Sequence, residues 1–259
     1  MTDARCAVVT GAAAGLGRDV AIAFANRGLA VVSVDVNEAG LRETLKSCSS
    51  GAARLRMVAM DLTETAGADR VVAEAEQCFG RLDVLVNCAA IGEAEAFADM
   101  SSTRWTRTFA INVTALVTLT VRAAGLMQRL GHKGRIINIT SPASRMALPN
   151  YAAYAASKAA VDSFTRTASI ALARYGICVN SVAPGMMDTA MQRIVETEMA
   201  RVEGRADLEE FLLERTMRVP LGRRAKVSEV VDSILWLALD APDYVTCARL
   251  NVSGGLDRD

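Results

Sequence analysis

The stretch "CAVVTGAAAGLG", residues 6–17, joins an apolar run to a turn rich in glycine. The run before the turn is short and apolar, which predicts a buried strand. Gly11, Gly15 and Gly17 allow the backbone to turn tightly and approach a pyrophosphate at the N-terminus of the following helix. That helix is predicted from the apolar spacing of "RDVAIAFANRG" (18–28). This order predicts a dinucleotide-binding unit, although the glycines alone also fit an ordinary turn between a strand and a helix.

Further apolar runs alternate with helical stretches along the rest of the chain. Strands are predicted at 30–35, 54–61, 82–90, 134–141, 177–185 and 248–255. Strands that are apolar throughout and separated by helices are typical of a parallel sheet covered on both faces. We therefore predict a doubly wound, seven-stranded Rossmann-type α/β sheet in three layers. No linker-like segment interrupts residues 1–259, so we predict one domain.

The composition excludes several classes of partner. Lysine plus arginine number 29, as do aspartate plus glutamate, so no basic excess favours nucleic acid or an anionic membrane. We find no signal peptide and no run of about 18 apolar residues that would predict a membrane span. The six cysteines form no CxxC pair and lie far from the single histidine, His132, which excludes the usual zinc spacings and predicts no metal. Scattered thiols favour the reducing cytoplasm.

Asp35 ends the second predicted strand, 18 residues after Gly17. A carboxylate at this place can accept both hydroxyls of an adenosine ribose and repels a 2′-phosphate. No arginine or lysine stands at Ala13, Ala14 or Val36 to bind such a phosphate. The pattern predicts NAD in preference to NADP, and the alternative role for Asp35 is that of a helix N-cap.

The stretch "YAAYAASK" (151–158) places a phenol and an ammonium on one helix face. Tyr154 and Lys158 are four residues apart, whereas Tyr151 has Ala155 at that spacing. A nearby ammonium favours the phenolate and lowers its pKa, which would suit acid/base chemistry. Taken alone, the pair also fits a surface tyrosine packed on a lysine stem.

With these residues together, the chain resembles the short-chain dehydrogenases/reductases over nearly its whole length. The shared motifs are "TGAAAGLG" (10–17), Asn112 in "FAINVTAL", Ser141 thirteen residues before Tyr154, "YAASK" (154–158), "APGMMDT" (183–189) and "LNVSGG" (250–255). So many matches in order are specific, and they favour the functional interpretation of both the glycine turn and the Tyr154–Lys158 pair.

The resemblance implies a catalytic set of Asn112, Ser141, Tyr154 and Lys158. Tyr154 is implied as general acid/base and Ser141 as the hydroxyl that holds the substrate oxygen, so these two contact the substrate. Lys158 is implied to bind the nicotinamide ribose and to lower the pKa of Tyr154. Asn112 is implied to stand at a break in its long helix, where it holds a water that connects Lys158 to solvent. Hydride would pass between the substrate carbon and nicotinamide C4.

The resemblance also implies the residues that bind the dinucleotide. They are Gly11, Gly15, Leu16, Gly17 and Asp35 in the first unit, Asp61 and Leu62 around the adenine, Asn87 and Ala89 after the fourth strand, Tyr154 and Lys158, and Pro184, Met187 and Thr189 at the carboxamide. The family further suggests a homotetramer or homodimer formed by the helices at 103–130 and 152–175. Ala155, Ala156, Ala159 and Ala160 would allow close approach there, or they pack only on the sheet.

Three residues depart from the family pattern. Ala90 stands where glycine is usual, which we expect to be tolerated. Cys88 is interpreted as a buried apolar residue in preference to a redox-sensitive thiol. Cys247 also stands where glycine is frequent, and the sequence offers no explanation for it.

Substrate selection is expected from a lid at 186–219, which we predict to contain two short helices that exclude water. Arg145 is either solvent-exposed or a ligand for an acidic group, and Tyr151 is either a pocket wall or a packing residue. The leading function is an NAD-dependent enzyme that interconverts a modest-sized secondary alcohol and a ketone. The alternatives are a 3-oxoacyl-carrier-protein reductase that uses NADPH and a non-catalytic dinucleotide sensor.

Overall fold

The computed structural model describes residues 4–48 and 54–257. Its strands form a single parallel sheet in the order β3-β2-β1-β4-β5-β6-β7. The strands are β1 (Cys6–Thr10), β2 (Ala30–Asp35), β3 (Leu55–Ala59), β4 (Val84–Asn87), β5 (Arg135–Ile139), β6 (Cys178–Pro184) and β7 (Arg249–Val252). The predicted seven-stranded, doubly wound sheet is confirmed, and each strand falls inside its predicted range.

Helices cover both faces of the sheet. They are α1 (Gly15–Asn26), α2 (Glu38–Ser47), α3 (Gly67–Phe79), α4 (Ser102–Phe109), α5 (Leu116–Arg129), α6 (Ala152–Ala173), α7 (Ala190–Val202), α8 (Leu208–Met217) and α9 (Val227–Leu235). Helices α1, α2 and α9 share one buried apolar cluster with the sheet, and α3, α5 and α6 share the other. Alternate residues of β1 supply the two faces, because Val9 packs in the first cluster and Val8 in the second. These are the three predicted layers.

The helix predicted at 103–130 is continuous but irregular. A π-helical segment, Ala110–Ala115, separates α4 from α5. The run Ser102–Arg129 contains an 18-residue window with a mean hydropathy of 1.6, long and apolar enough to cross a membrane by length and composition, so the expectation that no such run exists is corrected. In this fold the run supplies Leu119 and Met127, both fully buried, to the core beneath the sheet. The core helix of a globular protein has the same length and composition.

The backbone conformation of Cys247 explains why glycine is frequent at this position, but nothing in the structure explains the cysteine. It has a φ of +62°, and no other non-glycine residue in the described ranges has a positive φ. Its N–H donates to the carbonyl of Val179 at 2.9 Å, which keeps the turn before β7 against β6. Side chains with a Cβ rarely adopt this left-handed region, whereas glycine does so without a steric penalty.

Replacing Cys247 by glycine is therefore expected to raise the free energy of unfolding by about 0.5–1 kcal/mol, the left-handed penalty less the extra chain entropy of glycine. Urea denaturation of the two proteins measures the difference. Cys78→Gly is the matched control, because Cys78 lies in the last turn of α3, where glycine is a weaker helix former than cysteine by a few tenths of a kcal/mol. A Cys247→Gly protein no more stable than the parent would show that the left-handed backbone carries no penalty.

Candidate active site

The carboxyl ends of the central strands open into a cavity of about 370 Å³. Twelve of the predicted site residues line it. They are Gly11, Gly15, Leu16, Gly17, Asp35, Ala89, Ser141, Tyr154, Lys158, Pro184, Met187 and Thr189. Four predicted site residues do not line it: Asp61, Leu62, Asn87 and Asn112. The structure thus brings the glycine turn and the Ser141–Tyr154–Lys158 group into one space, at the edge of a parallel sheet where such folds bind ligands.

Two glycines of the turn, Gly11 and Gly17, have no room for a side chain. A Cβ on Gly17 would lie 2.2 Å from the carbonyl oxygen of Gly11, and one on Gly11 would meet the backbone of Ala89 at 3.0 Å. Gly11 and Gly15 also have positive φ angles. The N-cap of α1, Ala14, has no side-chain cap, and the first turn carries no acidic residue. The helix N-terminus therefore offers its N–H groups to an anion, which fits a dinucleotide pyrophosphate.

Asp35 faces the cavity and is fixed by the backbone on either side of it. Its Oδ2 accepts from the N–H of Ala13 at 3.1 Å, and its Oδ1 accepts from the N–H of Asn37 at 2.9 Å. The alternative role of helix cap is wrong, because Asn37 caps α2 by accepting from the N–H of Gly40 at 3.0 Å. Asp35 is therefore available to bind a ligand in the cavity.

Ser141, Tyr154 and Lys158 converge from β5 and α6. Ser141 follows β5, and its Oγ accepts from the N–H of Ala143 at 3.2 Å as the cap of a 3₁₀ turn. It also hydrogen-bonds with the Tyr154 phenol. The Lys158 Nζ donates to the carbonyl of Ile139 at 2.8 Å and lies 5.5 Å from the centroid of the Tyr154 ring.

Burial dominates the acid/base properties of this group. It raises the pKa of Tyr154 to about 12, against the opposing effect of the hydrogen bond with Ser141. It also lowers the pKa of Lys158 to about 8, against the opposing electrostatic effects of Cys88 and Asp162. The expectation that Lys158 lowers the pKa of Tyr154 is corrected, because the ammonium is directed to a backbone carbonyl and does not offset the desolvation of the phenol.

Asn112 lies in the π-helical segment and is fully buried. Its Oδ1 accepts from the N–H of Ile91 at 2.8 Å, and its Nδ2 donates to the carbonyl of Ile91 at 2.9 Å and to Ser157 Oγ at 3.0 Å. The predicted break is present as this π-helical segment, which interrupts the α-helical pattern while the helix itself continues. Asn112 ties the loop after β4 to α6 beside Lys158, and its role in holding a water stays a prediction.

The other three residues outside the cavity have local partners. Asn87 donates to Thr120 Oγ1 at 3.0 Å and to Asn138 Oδ1 at 2.8 Å, in a buried polar network behind the site. Asp61 accepts from the N–H and hydroxyl of Thr63, which hold the pKa of its carboxyl below the usual value. Leu62 packs against the apolar core. Their contacts with a dinucleotide stay predictions.

The two departures in the loop after β4 both line the cavity, as Cys88 and Ala90. Burial raises the pKa of the Cys88 thiol to about 12, which favours the unreactive protonated form and the interpretation of Cys88 as an apolar residue. The backbone N–H groups of Cys88 and Ala89 both donate to Thr10 Oγ1 at 3.0 Å. This contact ties the loop to the end of β1.

Tyr151 is both a pocket wall and a packing residue. It lines the cavity and stacks on Tyr154, with ring centroids 4.4 Å apart. A Cβ on Gly92 would lie 1.9 Å from the Tyr151 hydroxyl, so glycine at this position makes room for the phenol. Arg145 is exposed and does not line the cavity. Spacing on the helix distinguished the tyrosines correctly, but it could not reveal that they stack.

The two short helices predicted at 191–219 are present as α7 and α8. Val195, Met199 and Phe211 pack with Tyr151 in a separate apolar cluster over the cavity. Arg215 of α8 and Arg218, which follows α8, also line the cavity, and no sequence pattern predicted them.

A second unpredicted residue, Arg249 of β7, supports Ser141 from behind. Its Nη2 donates to the carbonyl of Ser141 at 3.1 Å and to Ser144 Oγ at 3.3 Å. Its Nε lies 3.3 Å from Asp162 Oδ2, and its Nη1 pairs with Asp257. The three charged side chains are almost entirely buried. The strand at the sheet edge thus fixes the loop that carries the catalytic hydroxyl.

The glycine turn that fits a pyrophosphate shares one cavity with the Tyr154 phenol and its neighbours, the Ser141 hydroxyl and the Lys158 ammonium. This combination is typical of nicotinamide-dependent oxidoreductases. No group of three or more histidine, cysteine, aspartate or glutamate side chains that could hold a metal occurs in the described ranges. A family model described as short chain dehydrogenase matches residues 5–200. The chain belongs to this family, whose members bind a nicotinamide dinucleotide.

Similar proteins extend the match to nearly the whole chain. A sorbitol dehydrogenase of Cereibacter sphaeroides is 33% identical over 98% of this chain and 97% of its own. Among solved structures, an actinorhodin polyketide ketoreductase with NADPH has a TM-score of 0.93 at 33% identity, covering 99% of this chain and 98% of that one. An NAD⁺-bound xylitol dehydrogenase has a TM-score of 0.92 at 28% identity, covering 97% and 98%.

Proposed function

We propose that this protein is an NAD-dependent oxidoreductase that interconverts a secondary alcohol and a ketone. The observation that carries the proposal is the shared cavity, in which Tyr154 and Ser141 face the same space as the glycine turn and Asp35. When bound, the nicotinamide supplies the site that gives or takes hydride. The chain's own residues hold the substrate oxygen, move its proton and exclude water.

Proton transfer falls to Tyr154. With its pKa raised to about 12, the phenol is protonated at neutral pH and can donate to the oxygen of a ketone. The Ser141 hydroxyl holds that oxygen from the other side. In alcohol oxidation Tyr154 must first lose its own proton so that the phenolate can accept the proton of the alcohol, and an ammonium turned from Ile139 toward the phenol would stabilise that phenolate. The lid helices α7 and α8 close the site over Tyr151, which favours a dry cavity.

The preference for NAD is supported by charge. Asp35 presents a carboxylate to the cavity and is held there by two backbone N–H groups. Arg18, the first basic residue after the turn, donates to the carbonyls of Ala13 and Gly40 and to Thr44 Oγ1, so its charge is directed away from the cavity. A 2′-phosphate would meet the like charge of Asp35, and in the described part of the chain Arg18 is turned to other partners and cannot neutralise it.

Asp35→Asn is therefore expected to lower the ratio of kcat/KM for NAD over that for NADP by about 10- to 100-fold, because a charged hydrogen-bond acceptor and a like-charge repulsion are both removed. Initial rates with each dinucleotide measure this ratio. Glu38→Gln is the matched control, since Glu38 is an exposed carboxylate on α2 that does not line the cavity. A parent enzyme that prefers NADPH to NADH would contradict the proposed preference for NAD.

A second candidate is reduction of a 3-oxoacyl group with NADPH, in the manner of a carrier-protein reductase. The likeness to the actinorhodin ketoreductase with NADPH favours it, whereas Asp35 opposes it. A non-catalytic sensor is disfavoured because Ser141, Tyr154 and Lys158 are all present and converge. Turnover with NADPH and an oxoacyl thioester in preference to NAD and a free alcohol would favour the second candidate.

We also propose a homotetramer, or a homodimer, in the cytoplasm. The outer faces of α5 and α6 expose apolar side chains, with Val121 57% and Ile170 74% accessible. Ala159 is exposed, so the predicted alanine face does not pack only on the sheet. All six cysteines are free thiols, which suits a reducing compartment. Sedimentation velocity measures the assembly state.

A further inference from the structure

The lid carries a buried cluster of three charges. Glu196 of α7 is completely buried, and its two oxygens are taken by two different arginines. Arg215 Nε lies 3.1 Å from Glu196 Oε1, and Arg224 Nη1 lies 2.8 Å from Glu196 Oε2. One carboxylate therefore serves two guanidinium groups. The cluster has one positive charge in excess, in surroundings where water screens it weakly.

The excess charge is directed to the cavity through Arg215. Its side chain is 18% accessible and lines the cavity from α8. Only its Nε has a hydrogen-bond partner in the part of the chain that the structure describes, so both Nη atoms remain available. Arg224 differs, because its unbonded Nη2 is buried and Arg224 does not line the cavity.

Arg215 lies near Tyr151, next to the catalytic tyrosine, and beside apolar side chains of the lid. Arg215 acts electrostatically on Tyr151, which stacks on Tyr154. Val195 and Met199 form the neighbouring wall. Within the described ranges, Asp35 is the one acidic residue that lines the cavity, and it lies at the opposite, adenosine end. The substrate end thus combines apolar walls with available guanidinium donors, and the nearby carboxylates of Glu196 and Glu198 lie behind the lining residues.

We propose that Arg215 binds a carboxylate of the substrate, so that the reactants are hydroxy acids and the corresponding keto acids. A planar guanidinium with two available Nη atoms matches a carboxylate in a bidentate arrangement. Arg218 also lines the cavity but is exposed to solvent, so the charge shielded from water is the single excess charge of the Glu196 cluster, which matches a monoanion better than a phosphate monoester. A neutral alcohol would leave both Nη atoms of Arg215 without a partner under the lid, with only the Nε bonded to Glu196. The inference rests on the proposed function and assigns its substrate class.

Kinetics with matched substrates test the inference. A secondary hydroxy acid and its methyl ester are compared with NAD in the parent enzyme, in Arg215→Gln and in Arg215→Lys. We expect the parent to prefer the acid. Arg215→Gln should lower kcat/KM for the acid by about 10- to 100-fold and leave the ester nearly unchanged, with Arg215→Lys intermediate. Arg201→Gln, an exposed arginine of α7 that does not line the cavity, removes the same charge and should change neither.

Binding measurements keep the inference testable without turnover. Calorimetry compares a non-reacting carboxylic acid, its primary amide and a phosphate monoester of similar size, with and without NADH. Tighter binding of the acid that Arg215→Gln weakens at least about 10-fold supports the inference, even if no alcohol or ketone is turned over and the proposed function fails. Equal binding of acid and amide, tighter binding of the phosphate, or a loss shared equally by acid and ester in Arg215→Gln would overturn it.

The variant protein is expected to fold. Arg215→Gln leaves Glu196 paired one-to-one with Arg224, so no buried charge loses its last partner. Thermal unfolding should therefore show a midpoint close to that of the parent, and a kinetic change can be assigned to the cavity.

Discussion

Replacing Tyr154 by phenylalanine is expected to lower kcat by about 10²- to 10⁴-fold, the usual contribution of a positioned general acid or base. The ring keeps its stacking on Tyr151, and the variant loses only the hydroxyl that bonds with Ser141. The dinucleotide should still bind, because the glycine turn and Asp35 are untouched. Stopped-flow hydride transfer and the fluorescence of bound NADH measure the two effects separately.

Tyr175→Phe is the matched control for this change. Tyr175 is an exposed tyrosine just beyond α6 that does not line the cavity. The loss of its hydroxyl should leave kcat unchanged. A Tyr154→Phe enzyme with full turnover would remove the catalytic assignment of Tyr154. It would also remove the main support for an alcohol/ketone oxidoreductase.

Replacing Arg249 by leucine is expected to lower the free energy of unfolding by about 3–5 kcal/mol, the usual result of removing one partner from a buried ion pair. Asp162 and Asp257 would both be left as buried carboxylates without their counter-ion. The carbonyl of Ser141 would also lose a donor at 3.1 Å, so we expect kcat to fall in the folded fraction as well. Urea denaturation gives the first quantity and initial rates at low urea give the second.

The control for Arg249→Leu is Arg129→Leu. Arg129 makes a two-bond pair with Glu76, but both side chains are exposed, so its removal should cost less than about 1 kcal/mol. If the two variants lose the same stability, the buried cluster beneath Ser141 has no special energetic role. A stable Arg249→Leu protein with unchanged kcat would show that the Ser141 loop holds itself in place.

Much of the fold follows from local patterns in the chain. Apolar runs of strand length separated by helices predict a buried parallel sheet, and the seven predicted runs all became strands. The right-handed crossover between successive parallel strands leaves few possible orders. The glycine turn and the Tyr154–Lys158 pair could also be predicted from the sequence, because each depends on residues within one turn or one helix.

The unpredicted part of the site depends on contacts between distant segments. Glu196 pairs with both Arg215 and Arg224, which lie 19 and 28 residues further along the chain. Nothing in the sequence of α8 indicates that Arg215 turns toward the cavity. Arg249 reaches Ser141 across 108 residues. The pKa of Tyr154 was missed for a related reason. The helix spacing places Lys158 on the right face, but its partner is the backbone carbonyl of Ile139, which no side-chain pattern reveals.

The strand order has a consequence for how the molecule is made. The first strand, β1, lies inside the sheet, and every later strand pairs with an edge that already exists when it is synthesised, first β2 and β3 on one side and then β4 to β7 on the other. No strand has to be inserted between two that are already paired, so assembly can follow the ribosome from N- to C-terminus. Because β7 brings Arg249 to the loop of Ser141, the nascent chain carries an assembled nucleotide turn well before it has a fixed catalytic hydroxyl.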